Sequence, residues 1–183
     1  MMPDPALVAQ ATGAALAVTG GLLAAAVWRW SENKARRRRV ARALLADMEQ
    51  SLNVFISLVE TLEKTPADQT FPARLAQPVS SHMVAALGSD LGALSKDAVR
   101  HAVAFDGTIR AFERAIALFP DQNAIPRKPL FTHSLWTLSM LRENFLLVAR
   151  DAYSFADYPE PTRFILKRSQ KLMARYADII QRS

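Results

Sequence analysis

Three histidines, His82, His101 and His133, are the first residues of this chain whose chemistry suits metal binding or proton transfer near neutral pH. A helical metal site needs a second ligand three or four residues away, so that both side chains stand on one face. None of the three has a second His or a Glu-x-x-His arrangement at that spacing. Asp97 and His101 stand four apart, which reads as a surface hydrogen bond. The stretch "SENK" at Ser31–Lys34 matches a Ser-x-x-Lys nucleophile pattern by letter, without the further motifs that complete such a site. Gly88 and Gly92 lack the preceding strand and the Gly-Lys-Ser/Thr ending of a phosphate loop, and read as turn glycines. Arg142, Glu143 and Asn144 read as exposed helix positions, a buried polar contact of Arg142 with Asp151 or Arg150 being the other option. Trp136, Met140 and Phe145 read as core. No group of side chains converges on a reaction, so the expectation is a protein without catalytic residues, cofactor or metal.

Composition narrows the class further. The 183 residues are half apolar, enough for a core, and contain no cysteine. Disulfides, thiolate metal sites, iron–sulfur clusters and cysteine nucleophiles are thereby excluded. The absence of an Asn-x-Ser/Thr glycosylation site fits a cytosolic domain. The net charge of +6 is unevenly spread: seven basic residues against Glu32 lie between residues 29 and 42, and six against Asp178 lie between 163 and 183. The middle, residues 43 to 162, holds fourteen acidic and ten basic side chains.

The element that must position everything else is N-terminal. Pro5 to Trp28 carry no charge, and about 24 helical residues at about 1.5 Å each reach across a hydrocarbon core of about 30 Å. The leader has an acid and no base, unlike a cleavable signal peptide. The expectation is one uncleaved spanning helix with its N-terminus outside, because the cations that follow stay on the cytoplasmic side. Trp28, Arg29, Trp30, Lys34, Arg36, Arg37, Arg38, Arg39 and Arg42 are the expected membrane-interface residues, with the indoles at headgroup depth and the cations meeting anionic lipid. Gly13, Ala17, Gly21 and Ala25 recur every fourth residue, which makes either a smooth packing face within the membrane or an accident of alanine-rich composition.

No Pro or Gly interrupts the chain from Trp28 to Thr65, so the helix is expected to continue as one rod that ends before Pro66. Ala41, Leu45, Met48, Leu52, Phe55, Val59 and Leu62 form a heptad seam, which suits a bundle helix and a parallel coiled coil alike. Residues 65 to 79 carry three prolines and read as a loop. A short helix is expected from Ser80 to Leu87, capped by Gly88, with Ser95 as the N-cap of the next. That helix, Lys96 to Phe119, aligns Val99, Ala102, Phe105, Ile109, Phe112, Ile116 and Phe119. After "PDQNAIPRKP" a fourth helix is expected from about Leu130 to Asp157, with Leu138, Leu141, Phe145, Val148, Ala152 and Phe155 in line. A last helix, Thr162 to Gln181, has Ile165, Leu172, Tyr176 and Ile179 on one face and Arg163, Lys167, Lys171 and Arg175 on another. The cationic stripe either lies on anionic lipid or faces solvent on a closed bundle. No strand-like alternation is present. The expected class is all-α: a transmembrane anchor (1–30), a basic collar and long helix (31–64), and the rest of a four-helix-bundle-like domain (65–183).

The order of spanning helix, arginine cluster, "ALLADMEQ" and later "LGSDLGALSKDAVRHAVAFDGTIRAF" resembles a loose set of small bacterial single-pass membrane proteins with a helical cytosolic domain. In that set an "ALLAE"-like stretch follows the arginines and an "LGLLP"-like turn opens the next helix; here "LGALS" stands in its place, with Ser95 where Pro is frequent. The likeness covers about residues 20 to 118 and implies the same architecture, with no activity or site residues.

These readings converge on a single-pass inner-membrane protein whose cytosolic domain binds a protein partner or another copy of itself, as an accessory or scaffold subunit. The alternative is a membrane-surface sensor that binds anionic headgroups through the Arg36–Arg39 cluster and the Arg163 to Arg175 stripe. Nucleic acid is not an expected partner.

Overall fold

The computed structural model describes the backbone of residues 5–76, 88–121, 123–153 and 159–178; the side chains of 5–23, 75–76, 89 and 151–152 lie outside the described residues. The protein is mostly helical: α1 (Pro5–Lys64), α2 (Ala73–Ala76), a 3-10 turn (Gly88–Ala93), α3 (Lys96–Ala117), α4 (Arg127–Ala152) and α5 (Glu160–Arg175). Two units divide it, Met1–Arg37 and Arg38–Ser183, and the division falls inside the arginine run.

In the first unit, Trp28 and Trp30 are exposed, and the Lys34 ammonium stands 5.0 Å from the Trp30 ring centre. Among the described residues no helix is long and apolar enough to cross a membrane. The side chains of residues 5–23, which hold most of the expected span and the Gly13, Ala17 and Gly21 positions, lie outside them; Ala25 is exposed.

The second unit is bundle-like. Every residue of the expected α1 seam from Ala41 to Leu62 is buried, and so are Val40, Leu44 and Ile56. An apolar face this broad is that of a bundle helix, wider than the two-position seam of a dimeric coiled coil. Of the two uses open to this seam the bundle is the one adopted: it is covered by the chain's own helices, with Phe55 edge-on to Phe112 of α3 at 4.9 Å. α1 stops at Lys64 because Pro66 follows, and its last turn is closed by two side chains. Thr65 Oγ1 donates to Thr61 O at 2.8 Å, and Arg127 Nε donates to Leu62 O at 2.6 Å.

α3 begins as its sequence requires. Ser95 is extended and its hydroxyl accepts from Ala98 N–H at 3.1 Å. Ala102, Phe105, Ile109, Phe112 and Ile116 are buried, with Val99 and Phe119 packed at the edge of the core. Gly88 has φ +38°, the left-handed conformation of a helix cap; the Ser80–Leu87 helix it would cap lies outside the described residues.

Four details differ from the sequence reading. The stretch 65–79 is not all loop: it contains α2, and Thr70–Phe71 (β1) pairs antiparallel with Ile125–Pro126 (β2), Phe71 opposite Ile125. Ile125 is fully buried, so this two-residue ladder pins the chain between α3 and α4 to the core. α4 starts at Arg127, not Leu130, since the first helical N–H groups need no carbonyl partner and Pro129 fits the first turn. The Arg127 N–H is used by Gln69 O at 3.2 Å. α4 ends at Ala152 instead of Asp157, where Tyr153 turns extended, and α5 runs Glu160–Arg175, two residues earlier at its start than Thr162.

Contacts along α3 and α4 run in opposite order, so the two helices are antiparallel: His101 Nδ1 meets Asn144 Oδ1 at 2.9 Å, and the Phe112 ring stacks on His133 at 5.2 Å. α5 lies beside α1 in parallel order. Thr162 donates to Glu49, Arg168 to Glu60 and Asn53, and Arg175 and Tyr176 to Glu63.

Candidate functional site

A groove of about 710 Å³ lies in the second unit. One side comes from the C-terminal end of α3 and the residues just after it, through Ala115 and Phe119; the other is the N-terminal half of α4, through Lys128, Pro129, Thr132, His133 and Trp136. On α4 these residues recur at the three- and four-residue intervals of one helical face, next to the inward face of Leu130, Ser134, Leu138 and Leu141.

Trp136, expected in the core, is 37% exposed. Leu135 and Leu138 take the inward positions on either side, which leaves the indole on the outer edge. Its ring lies nearly parallel to His133, 6.2 Å away and tilted by 15°, and His133 in turn stacks on Phe112 with a tilt of 8°. A ladder of three rings thus runs from the core to the groove. Burial lowers the His133 pKa below its ordinary 6.5, because the protonated ring would lose its hydration. The imidazole is therefore uncharged at neutral pH, and its Nε2 is buried without a hydrogen-bond partner. Ser134 Oγ, on the next residue, and Thr137 Oγ1, one helical turn on, are buried and unpartnered too. The lining of the groove is mainly apolar, with Lys128, Thr132 and His133 as its polar members.

Leu118, next in sequence to the groove residue Phe119, is 83% exposed, and the outer side of α3 carries exposed Val103, Gly107 and Ala111 interleaved with Arg100 and Arg114. A Cβ placed on Gly107 meets nothing within 4 Å, so this side of the helix is open and shallow.

The other sequence candidates are dispersed. His82 lies outside the described residues. His101 bonds Asn144 across to α4, while Asp97 instead pairs with Arg100 at 3.4 Å; the expected Asp97–His101 hydrogen bond is replaced because Asn144 presents its carbonyl oxygen to the ring. Asn144 is buried, not exposed, and its amide also donates to Met140 O at 2.9 Å. Arg142 is half-buried with Nε unpartnered. Among the described residues no group of three or more His, Asp or Glu side chains is placed to hold a metal ion.

The basic stripe on α5 divides. Lys167 and Lys171 are exposed beside Phe164, whereas Arg175 donates to Glu63. The strongest cationic contact on that helix belongs to Arg168, which the stripe omitted: its Nε donates to Glu60 Oε1 at 2.7 Å and a second nitrogen to Oε2. Hydrogen bonding to Arg168 holds the Glu60 carboxyl below its usual range, and bonding to Tyr176 and Arg175 does the same for Glu63. Arg42, expected in the membrane collar, places its guanidinium 5.3 Å from the Tyr153 ring centre. Arg168, Glu60 and Glu63 were legible only as charged residues on helices, since their partners are more than a hundred positions away in sequence.

No protein-family model matches the chain, and no curated protein or solved structure matches it.

Proposed function

We propose that this chain is a single-pass protein of the bacterial inner membrane, with its N-terminus outside, whose helical domain acts in the cytosol as an interaction or accessory subunit and not as an enzyme. The observation that carries the reading is the apolar surface left over once the core is closed. Leu118, Trp136 and Val103 remain exposed while the α1 seam and the buried positions of α3 and α4 close the core. Large apolar side chains left exposed, a Trp among them, favour a role in association. The anchor rests on the uncharged run from Pro5 to Trp28 followed by the aromatic and cationic residues from Trp28 to Arg42. Alkaline extraction of membranes tests it: the full chain stays in the membrane pellet if the run is inserted, and its release into the supernatant rejects the anchor. Turnover of any substrate by the purified protein would reject the non-enzymatic part.

One observation favours the lipid-surface reading as second. Phe164 is 63% exposed and shares the outer face of α5 with Lys167 and Lys171, a pairing of aromatic and cations that suits a headgroup layer. That reading ranks lower because the apolar stripe of α5 is already used: Leu172 is buried, and Ile165 and Tyr176 pack on the core. It predicts salt-sensitive binding of residues 31 to 183 to anionic vesicles, and no binding at low salt rejects it.

A further inference from the structure

The groove between α3 and α4 has the size and lining of a small-molecule site. Its volume of about 710 Å³ lies inside the range of about 300–1,000 Å³ that ligand pockets occupy. Such pockets are mostly apolar and aromatic, with a few polar groups that fix the ligand's orientation. Here Phe119, Pro129 and Trp136 supply most of the apolar surface, and Lys128, Thr132 and His133 the polar groups.

The rings set the shape that is accepted. Trp136 and His133 are nearly parallel with centroids 6.2 Å apart, well beyond the separation of about 3.5–4.0 Å at which two carbon surfaces touch. Neither ring fully covers the other, and the indole, 37% exposed where it lines the groove, keeps ring surface in water. A flat aromatic ligand extends the ladder that begins at Phe112 and His133, with the offset or edge-on contacts that aromatic rings prefer. A flexible aliphatic chain would meet the same surface at the added cost of ordering its own bonds.

Charge sets what the ring carries. Lys128 is the one charged residue in the lining at neutral pH, since burial keeps His133 uncharged. Asp121, the acid nearest in sequence to Phe119, does not line the groove, and its carboxylate accepts the Asn123 N–H at 2.8 Å. An anionic ligand therefore meets a cation and no lining carboxylate, whereas a cationic one meets only like charge. Thr132 stands four residues after Lys128, on the same side of α4, with a hydroxyl able to donate to a carboxylate.

We propose that this groove binds a small aromatic carboxylate, its ring against Trp136 and Phe119 and its carboxylate at Lys128. This binding activity goes beyond the interaction-subunit reading and requires no partner protein, so the two stand or fall separately.

Fluorine NMR on the full chain in detergent micelles tests it. The chain has three tryptophans, so 5-fluorotryptophan labelling gives resonances from Trp28, Trp30 and Trp136, and Trp136→Phe identifies the one in the groove. Titration with 2-naphthoate is expected to shift the Trp136 resonance saturably, with a Kd of about 0.1–1 mM for a ligand of that size, while those of Trp28 and Trp30 stay in place. The uncharged 2-naphthamide keeps the rings and octanoate keeps the charge, and each is expected to bind about fivefold more weakly or worse. Lys128→Gln, at an exposed position, is expected to weaken 2-naphthoate about fivefold and to leave 2-naphthamide unchanged. No saturable shift at Trp136 at about ten times that Kd overturns the proposal, and so does a shift that runs in parallel with those of Trp28 and Trp30, which is partition into the micelle. Binding of 2-naphthamide or octanoate as tight as that of 2-naphthoate, or indifference to Lys128→Gln, overturns it as well.

Discussion

Arg168→Gln is the substitution from which most can be learned about how α5 is held. α5 buries little: among its larger apolar side chains Leu172 is 3% exposed, and Ile165, Leu166 and Met173 are only partly covered. Its polar contacts with α1 therefore carry an unusual share of the docking. Arg168 makes two hydrogen bonds to the Glu60 carboxylate and a third to Asn53 Oδ1 at 3.1 Å, with both charged side chains about 30% exposed. A fully exposed pair contributes about 0.2–1 kcal/mol and breaking a fully buried one costs about 3–5 kcal/mol, so a half-screened, two-point pair is worth about 1.5 kcal/mol. That is about a tenfold change in the equilibrium for local opening of α5. Amide hydrogen exchange on the full chain in lipid nanodiscs, followed peptide by peptide, reads this directly. Exchange across residues 162–176 should accelerate about tenfold in Arg168→Gln and in Glu60→Gln, with little further change in the double variant, while residues 98–116 of α3 keep their protection. Unchanged exchange in α5, or an equal loss in α3, would refute the reasoning, because the pair would then be either idle or a contributor to global stability only.

Acid should loosen the same helix. The Glu60 and Glu63 carboxyls are held below their ordinary 4.5 in the folded chain, so their contribution is complete above about pH 4.5 and fades as pH falls through the lower folded values; exchange in α5 should rise there before that in α3 does. Phe112→Ala removes a fully buried ring that contacts both Phe55 and His133 and should cost about 3–5 kcal/mol of global stability, measured by denaturant unfolding of the domain. His133→Phe keeps the ring stack and deletes the unpartnered Nε2, and should stabilise by about 1 kcal/mol. The gain should grow as pH falls below about 6.5, since only the unfolded His takes up a proton there until the depressed folded pKa is reached. Arg127→Ala deletes the donor to Leu62 O and the guanidinium 5.1 Å from the Phe131 ring centre, and should cost about 1–2 kcal/mol in the same assay.

The sequence shows a helix best where one periodic face carries the signal. The seams of α1 and α3 were readable because Leu45 to Leu62 and Phe105 to Ile116 repeat at helical spacing and are all covered in the fold. Ser95 was readable because an N-cap depends on residues three positions apart. β1 and β2 were not, since two residues per strand leave no alternation to detect, and their partners come from separate loops. The environments of Trp136 and Asn144 are not legible in the sequence for a related reason: hydrophobicity ranks a residue without saying which way it points, and Asn144 is buried because His101 satisfies it from another helix. The groove itself depends on the register between α3 and α4. Periodicity within either helix alone does not contain that register.

The central claim, a membrane-anchored accessory subunit, is tested most directly by extracting the full chain at native expression in polymer-bounded native lipid particles and weighing the particles with everything that co-purifies. The chain is expected to enter these particles together with a second protein at fixed stoichiometry. Recovery of the chain outside the lipid particles, or inside them with no second protein, would contradict it.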